Sequence, residues 1–333
     1  MNKHSRVSDK SLGFRLLLIL LLLNGCLMVW VFYSLADIRQ TYEEKAKVST
    51  QNLARLMDQN LAASVGKIDL TLQSVVDQME HELREHGRLD LQHDNPLLTA
   101  HQKRLTELSS LLVSDAQGRV ILGKGVSPSE PASWADRDFF PVLRDHADHG
   151  LYVTNPIFGR VTTMWVISFA RRYNNPDGSF AGVVSASIPL AYLDNLLSAM
   201  DVGPRGIALL RDANLGLIVR HPALTTPAGA IGAKAFSNKF RDGIASGQRE
   251  FSYHSTTTSD GVERTVSYRR LSGVPFHVAV GLASDDYLTP WRVGARRTLG
   301  FVALFLLVSS GLGWQLWRSQ IKRVLRHSVW NLT

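Results

Sequence analysis

The sequence predicts an α+β chain, with a long N-terminal helix, two tandem antiparallel-sheet modules and an apolar helix at either end. Three observations lead there. Leu16–Tyr33 and Leu299–Trp317 contain no charged side chain, and each matches the roughly 17–25 residues that cross a bilayer as a helix. Between Ala36 and Arg84 there is no proline, and apolar residues recur in alternating steps of four and three, as on one helix face. From Leu111 onward, short apolar runs alternate with turn residues, and the pattern occurs twice.

Residues 1–15 read as a basic tail and 16–33 as the first span. The net charge is +8, which on its own would raise nucleic acid as a partner. Its distribution argues against that. The first 15 residues carry four basic groups against one acidic, and the last 16 carry four against none, which leaves 29 basic against 28 acidic groups between. The excess flanks the apolar segments, as the positive-inside rule expects of cytoplasmic ends, where it can meet anionic lipid. Arg292, Arg296 and Arg297 lie on the other side of the second span but are outnumbered. Leu23-Asn24-Gly25-Cys26 has the look of a lipoprotein cleavage box, yet the apolar run continues to Phe32, which favours an uncleaved anchor. Cys26 is the only cysteine, so no intrachain disulfide can form.

Residues 34–89 read as a helix of about 50 residues, some 75 Å long at 1.5 Å per residue. Its stripe is Leu61, Val65, Ile68, Leu72, Val75 and Met79. Such a stripe can pack on its own domain or form the seam of a homodimer, and both readings stay open at this point.

Leu111–Ser114, the turn Asp115-Ala116-Gln117-Gly118 and Arg119–Leu122 read as a hairpin; Ile207–Leu210, Arg211–Asn214 and Leu217–Val219 repeat it. Each copy is followed by a double arginine, Arg171-Arg172 and Arg269-Arg270, then a turn and an apolar strand. Leu111 to Arg171 and Leu209 to Arg269 are both 60 residues. The expected modules are residues 90–197 and 198–291, followed by a juxtamembrane segment (292–298), the second span (299–317) and a tail (318–333).

Ala135-Asp136-Arg137-Asp138-Phe139-Phe140, then Gly150–Pro156 and Gly159-Arg160, resemble the double Cache family. So do Trp165–Ser168, Arg171-Arg172 and Asp177–Val184. The resemblance covers roughly residues 36–295. It implies tandem PAS-like modules, as in the extracytoplasmic sensors of diguanylate cyclases, histidine kinases and chemoreceptors, with the ligand held by the membrane-distal module. The site residues it implies are Trp134, Arg137, Phe139, Phe140, Tyr152, Trp165 and Arg171. A guanidinium offers a fork that fits a carboxylate, and the aromatic residues would supply an apolar wall. Arg137 could instead pair with Asp136 or Asp138, leaving Phe139 and Phe140 as core. Members that bind free amino acids carry Trp-Tyr where this chain has Phe139-Phe140. They also carry an aspartate near the position of Ser187-Ile188-Pro189-Leu190. A small organic acid is therefore the expected ligand. The second module has no arginine string, only Lys234 and Lys239 between Ile231 and Phe240, and is expected to be a spacer.

The remaining clusters do not assemble a catalytic or metal motif by spacing. His81 and His86 are five apart, so on a helix they diverge by about 140° and cannot share a zinc. Asp145-His146-Ala147-Asp148-His149 fits a solvated helix end better than a metal site. Gly123-Lys124-Gly125 lacks the ending of a phosphate loop. No enzyme activity, metal or cofactor is expected. The expected partners are a small ligand, lipid and a second copy. Only 16 residues follow Trp317, too few for a cyclase, kinase or chemoreceptor output domain, so the chain is expected either to be the sensory portion of a longer protein or to act through a separate signalling partner. The alternative is a membrane-anchored solute-binding or scaffold protein that does not signal.

Overall fold

The structure, a computed structural model, describes residues 4–127, 129–256 and 259–329, with side chains from Phe14 to Ser319. The charged side chains of the two tails lie outside that range, except Arg15 and Arg318. Two compact units are present, Lys47–Ser284 and Met1–Ala46 with Asp285–Thr333.

The predicted first span and the helix after it form one element, α1 (His4–His86). No proline interrupts it, and Gly25 and Gly66 each cost only about 1 kcal/mol relative to alanine. It stops at Gly87, whose φ is +68° and whose N–H donates to Leu83 O at 3.0 Å, as at many helix C-termini. In the first unit α1 is accompanied by α7 (Thr289–Val329). Windows in both are apolar enough to cross a membrane, with mean hydropathy 2.5 and 1.7. Asn24 and Ser309 exchange hydrogen bonds between them at 2.8 and 3.2 Å, and the Trp291 indole donates to Leu35 O at 2.9 Å.

The second unit holds two antiparallel sheets with the same strand order. The first comprises β1 (Ser110–Asp115), β2 (Val120–Gly123), β3 (Tyr152–Val153), β4 (Ile157–Phe158), β5 (Trp165–Asn174) and β6 (Phe180–Pro189). Its order is β2-β1-β6-β5-β3, with β4 also on β5. The second comprises β7 (Ile207–Arg211), β8 (Leu217–His221), β9 (Glu250–Ser255), β10 (Arg264–Arg270) and β11 (His277–Ala283), ordered β8-β7-β11-β10-β9. The shorter helices are α2 (Leu91–Arg104), α3 (Phe139–Asp145), α4 (Leu190–Ser198), α5 (Asn238–Ala245) and α6 (Ser284–Tyr287).

The apolar stripe of α1 is buried by its own chain. Leu61 and Val65 are 5 and 6% exposed and Ile68, Leu72, Val75 and Met79 are fully buried, in one core with Val113, Ile167 and Val184 of the first sheet and Leu210, Val278 and Val280 of the second. The stripe is consumed within the chain and is not available as a dimer seam. The double arginines now have a structural reason. Arg171 donates to both oxygens of Asp69 at 2.6 and 3.0 Å, and Arg269 donates to Asp58 at 2.8 Å. The two aspartates stand eleven residues apart on α1, about three turns, so each sheet is clamped to the same helix face.

Gly182 allows β1 and β6 to close. Its φ is +156°, and a Cβ there would meet Ser114 O at 2.0 Å and the Tyr173 ring at 2.7 Å. Tyr173 in turn donates to Ser114 O at 2.8 Å. Gly182→Ala is expected to destabilise the unit by about 2 kcal/mol or more, measured by urea unfolding.

Asp94 of α2 is buried. Its Oδ1 accepts from Gln78 at 3.5 Å, while Oδ2 has no partner. Burial, with Glu82 nearby, raises its pKa. A carboxyl whose folded pKa is raised loses stability as pH climbs from its unfolded value through the folded one. Asp94→Asn should therefore unfold at higher temperature than the wild type at pH 7, and the difference should shrink toward pH 4.

Candidate functional site

The face of the first sheet turned away from α1 carries Leu112, Val120, Ala170 and Val183. Val126 and the segment from Ala132 to Phe158 cover it. Its entry is pinned to β2, since Val120 donates to Ala132 O at 2.8 Å and Trp134 to Gly118 O at 2.7 Å. This sets the Trp134 ring, 7% exposed, edge-on to Phe139 at 5.7 Å. Phe139 lies 6.3 Å from Tyr152, and Phe140 meets Phe180 edge-on at 5.5 Å. Phe139 and Phe140, the first residues of α3, are both buried in this cluster. They build the wall and leave the rim to others.

Arg137 is at that rim. The Phe140 N–H donates to Arg137 O at 2.9 Å, which places Arg137 just before α3. Its guanidinium donates to Phe158 O at 2.7 Å. The local pairing considered for it does not form with Asp136. That carboxylate is taken bidentately by Arg160, at 2.6 Å to each oxygen, and Arg160 also donates to Ser133 O. The Arg160 hydrogen bonds hold the Asp136 carboxyl down at about 2. Burial, then the charge of Arg160, lowers the pKa of Arg137, but a guanidinium stays protonated. Arg137 thus faces the site as a cation whose described hydrogen-bond partner is a backbone carbonyl. Tyr152 adds a phenol whose pKa is raised by burial and by Asp138.

The sheet floor adds hydroxyls. Ser168 and Ser187 are 2.8 Å apart, and the Ser168 N–H donates to Thr154 Oγ1 at 2.9 Å; all three are buried. Side chains alternate along a strand, so Ser168 and Ala170 of β5 share the site's face. Trp165 and Arg171 do not. Arg171 is on the α1 side, held by Asp69, and Trp165 is 44% exposed and packs on Phe158 at 6.0 Å. The structure brings Trp134, Arg137, Phe139, Phe140 and Tyr152 together and leaves those two out. Arg160, Ser168, Ser187 and Thr154 were not among the expected residues. Strand alternation from Ala170 would have found Ser168.

A family model described as a Cache domain matches residues 36–291. The chain belongs to the Cache domain family. Cache domains are extracytoplasmic sensory modules that bind small ligands, and the two apolar helices flank this one. Among solved structures the chain is similar to the extracellular domain of a protein described as a histidine kinase, rpHK1S-Z16, at 26% identity and TM-score 0.63, over 73% of this chain and 96% of that one. It shares the fold of the Pseudomonas fluorescens chemoreceptor CtaA ligand-binding domain, solved with L-isoleucine (18% identity, TM-score 0.54, 78% and 99% covered). It also shares that of the Campylobacter jejuni chemoreceptor Tlp3, solved with 4-methylisoleucine (14%, 0.54, 73% and 93%). A comparison with curated proteins finds no match.

Proposed function

We propose that this Cache protein is a two-pass inner-membrane sensor whose central unit lies in the periplasm and binds a small organic acid at the first sheet. The observation that carries the ligand class is Arg137, a cation beside an aromatic wall with its neighbouring carboxylate Asp136 already taken by Arg160. A ligand carboxylate accepts the free edge of the guanidinium, and the Ser168 and Ser187 hydroxyls suit a polar substituent. Ligand binding would favour one arrangement of the module over another by the difference in affinity. The change would pass inward along α1 and α7 to an output domain or signalling partner on the cytoplasmic side. A homodimer would have to use an α1 face other than the buried stripe; Leu56 and Leu70 lie exposed on it.

The ligands of related domains favour a second reading. The CtaA and Tlp3 domains are solved with amino acids, and here Asp138, next to Arg137 in sequence, would be the carboxylate that meets an amino acid's ammonium. A thermal-shift screen of the full chain in detergent, with short organic acids and L-amino acids, separates the two. A ligand at 100 times its dissociation constant adds about 2.7 kcal/mol of stability. Shifts with organic acids that lack an amine support the first reading; shifts with amino acids alone replace it by the second.

A further inference from the structure

The second sheet also has an occupied face and a hollow one. The hollow face is turned away from α1 and is floored by Leu209 of β7, Val266 of β10 and Ala279 of β11. Phe236 and Phe240, the latter on α5, cover it. The space open to the centre of a water-sized sphere is about 60 Å³, several times what a single water needs. Because the two sheets share one strand order, this cavity occupies the position in its module that the Arg137 site has in the first.

Three arginines line it, and all are buried: Arg211, Arg220 and Arg264 are 4, 9 and 3% exposed. Their described anionic partners are too few. Arg220 and Arg264 share one carboxylate, Asp260, at 2.6 to 2.8 Å. Arg211 is held by carbonyls, those of Leu215, Ala233 and Ala235, at 2.8, 2.9 and 2.8 Å. Asp212 beside it is turned into its own loop, where Oδ1 accepts from the N–H groups of Asn214 and Gly216 at 2.8 Å each. A guanidinium has five N–H groups and does not give up its charge. Buried charge without a counter-charge is unfavourable. Asp260 is the one carboxylate in described contact with the three guanidiniums, and Asp212 acts on Arg211 only through its charge, so three cations against two acids leave the cavity short of negative charge.

We propose that this cavity is a second ligand site and that it takes a short-chain monocarboxylate. The carboxylate meets the arginine wall; a tail of one to three carbons fills the aliphatic floor, which an all-polar anion such as phosphate would leave empty. The second module is then not the spacer its sequence suggested, because its cations come from strands β7, β8 and β10 rather than from a string before a helix. The chain would read two acids, one in each module.

Calorimetric titration of the full chain in detergent with propionate tests this, with inorganic phosphate as comparator and neither ion in the buffer. Arg137→Ala removes the first site, so any saturable propionate binding that persists is the second. Adding Ala279→Leu, which fills the floor without touching a charge, should weaken that binding at least tenfold while the unfolding temperature holds. If that variant fails to fold, Arg211→Lys, which keeps the charge and loses the fork, should produce the same loss. Absence of saturable binding in Arg137→Ala overturns the second site, as does binding that ignores both second-module variants. Phosphate binding as tightly as propionate overturns the ligand class. Binding that ignores Arg137→Ala but is lost in Ala279→Leu would speak against the first site alone.

Discussion

Replacing Asp58 with alanine is expected to cost about 2–3 kcal/mol of stability, the upper part of the range for leaving buried donors without their acceptor. The carboxylate side chain is 5% exposed. It accepts from Arg269 Nε at 2.8 Å, from the Ser272 N–H at 2.6 Å and from the Ser272 hydroxyl at 3.2 Å. Alanine would leave the Ser272 N–H without its acceptor and the half-buried Arg269 guanidinium with Glu250 as its remaining carboxylate, at the junction of α1 and the second sheet. The pH dependence follows from the same contacts. Burial pushes the Asp58 carboxyl up, but the Arg269 and Ser272 hydrogen bonds outweigh it and hold the group below its ordinary value of 3.8. A depressed carboxyl contributes stability that is present above the unfolded value and is lost as pH falls through the folded one. Urea unfolding of the full chain should therefore show wild type losing stability below about pH 4, and Asp58→Asn losing less over that range. Equal stability of Asp58→Ala and wild type at pH 7 would show that α1 and the second sheet do not depend on this clamp.

Arg137→Ala should weaken binding of the organic acid about 100-fold, equivalent to about 2.7 kcal/mol, and within the range for losing one partner of a desolvated ion pair. The lysine variant keeps the charge and loses the fork, so it should recover part of the affinity. Stability should change little, since the lost contact is one hydrogen bond to Phe158 O, about 1 kcal/mol. Arg171→Ala should behave the other way round. It breaks the bidentate clamp to Asp69, so it should lower stability and leave affinity near wild type. Ligand titrations and urea unfolding on the same three variants check both halves of this contrast. An affinity loss in Arg171→Ala that matches Arg137→Ala would move the site to the other sheet face.

Much of this architecture was legible in the residues. Leu111–Leu122 and Ile207–Val219 announced two hairpins, and the double arginines marked equivalent strands in each module. Periodicity along Leu61–Met79 revealed a buried helix face but could not say what would bury it. That depends on packing between residues far apart in sequence, and in the structure the two sheets of the same chain cover it. Strand β9 escaped notice because Phe251-Ser252-Tyr253-His254 is flanked by charge and only half-buried. α2 escaped because its 14 residues include Pro96 and few apolar side chains. At the site, the aromatic wall and Arg137 followed from one linked string. The same string points to Arg171, because sequence proximity to a motif does not reveal which face of a strand a side chain takes. Its partner Asp69 lies 102 residues away, on a helix with no local signal for the pairing. The buried arginines of the second module were invisible for the same reason, as Arg211, Arg220 and Arg264 converge only after β7, β8 and β10 are paired.

The central claim is that a small carboxylate binds at the first sheet beside Arg137. Hydrogen-exchange mass spectrometry on the full chain in detergent, with and without the strongest organic-acid hit, tests it most directly. The account predicts slower exchange across residues 134–140 and 150–160, and no such protection in Arg137→Ala. Saturating ligand that leaves those two segments unchanged, or that protects only the second sheet, would contradict it.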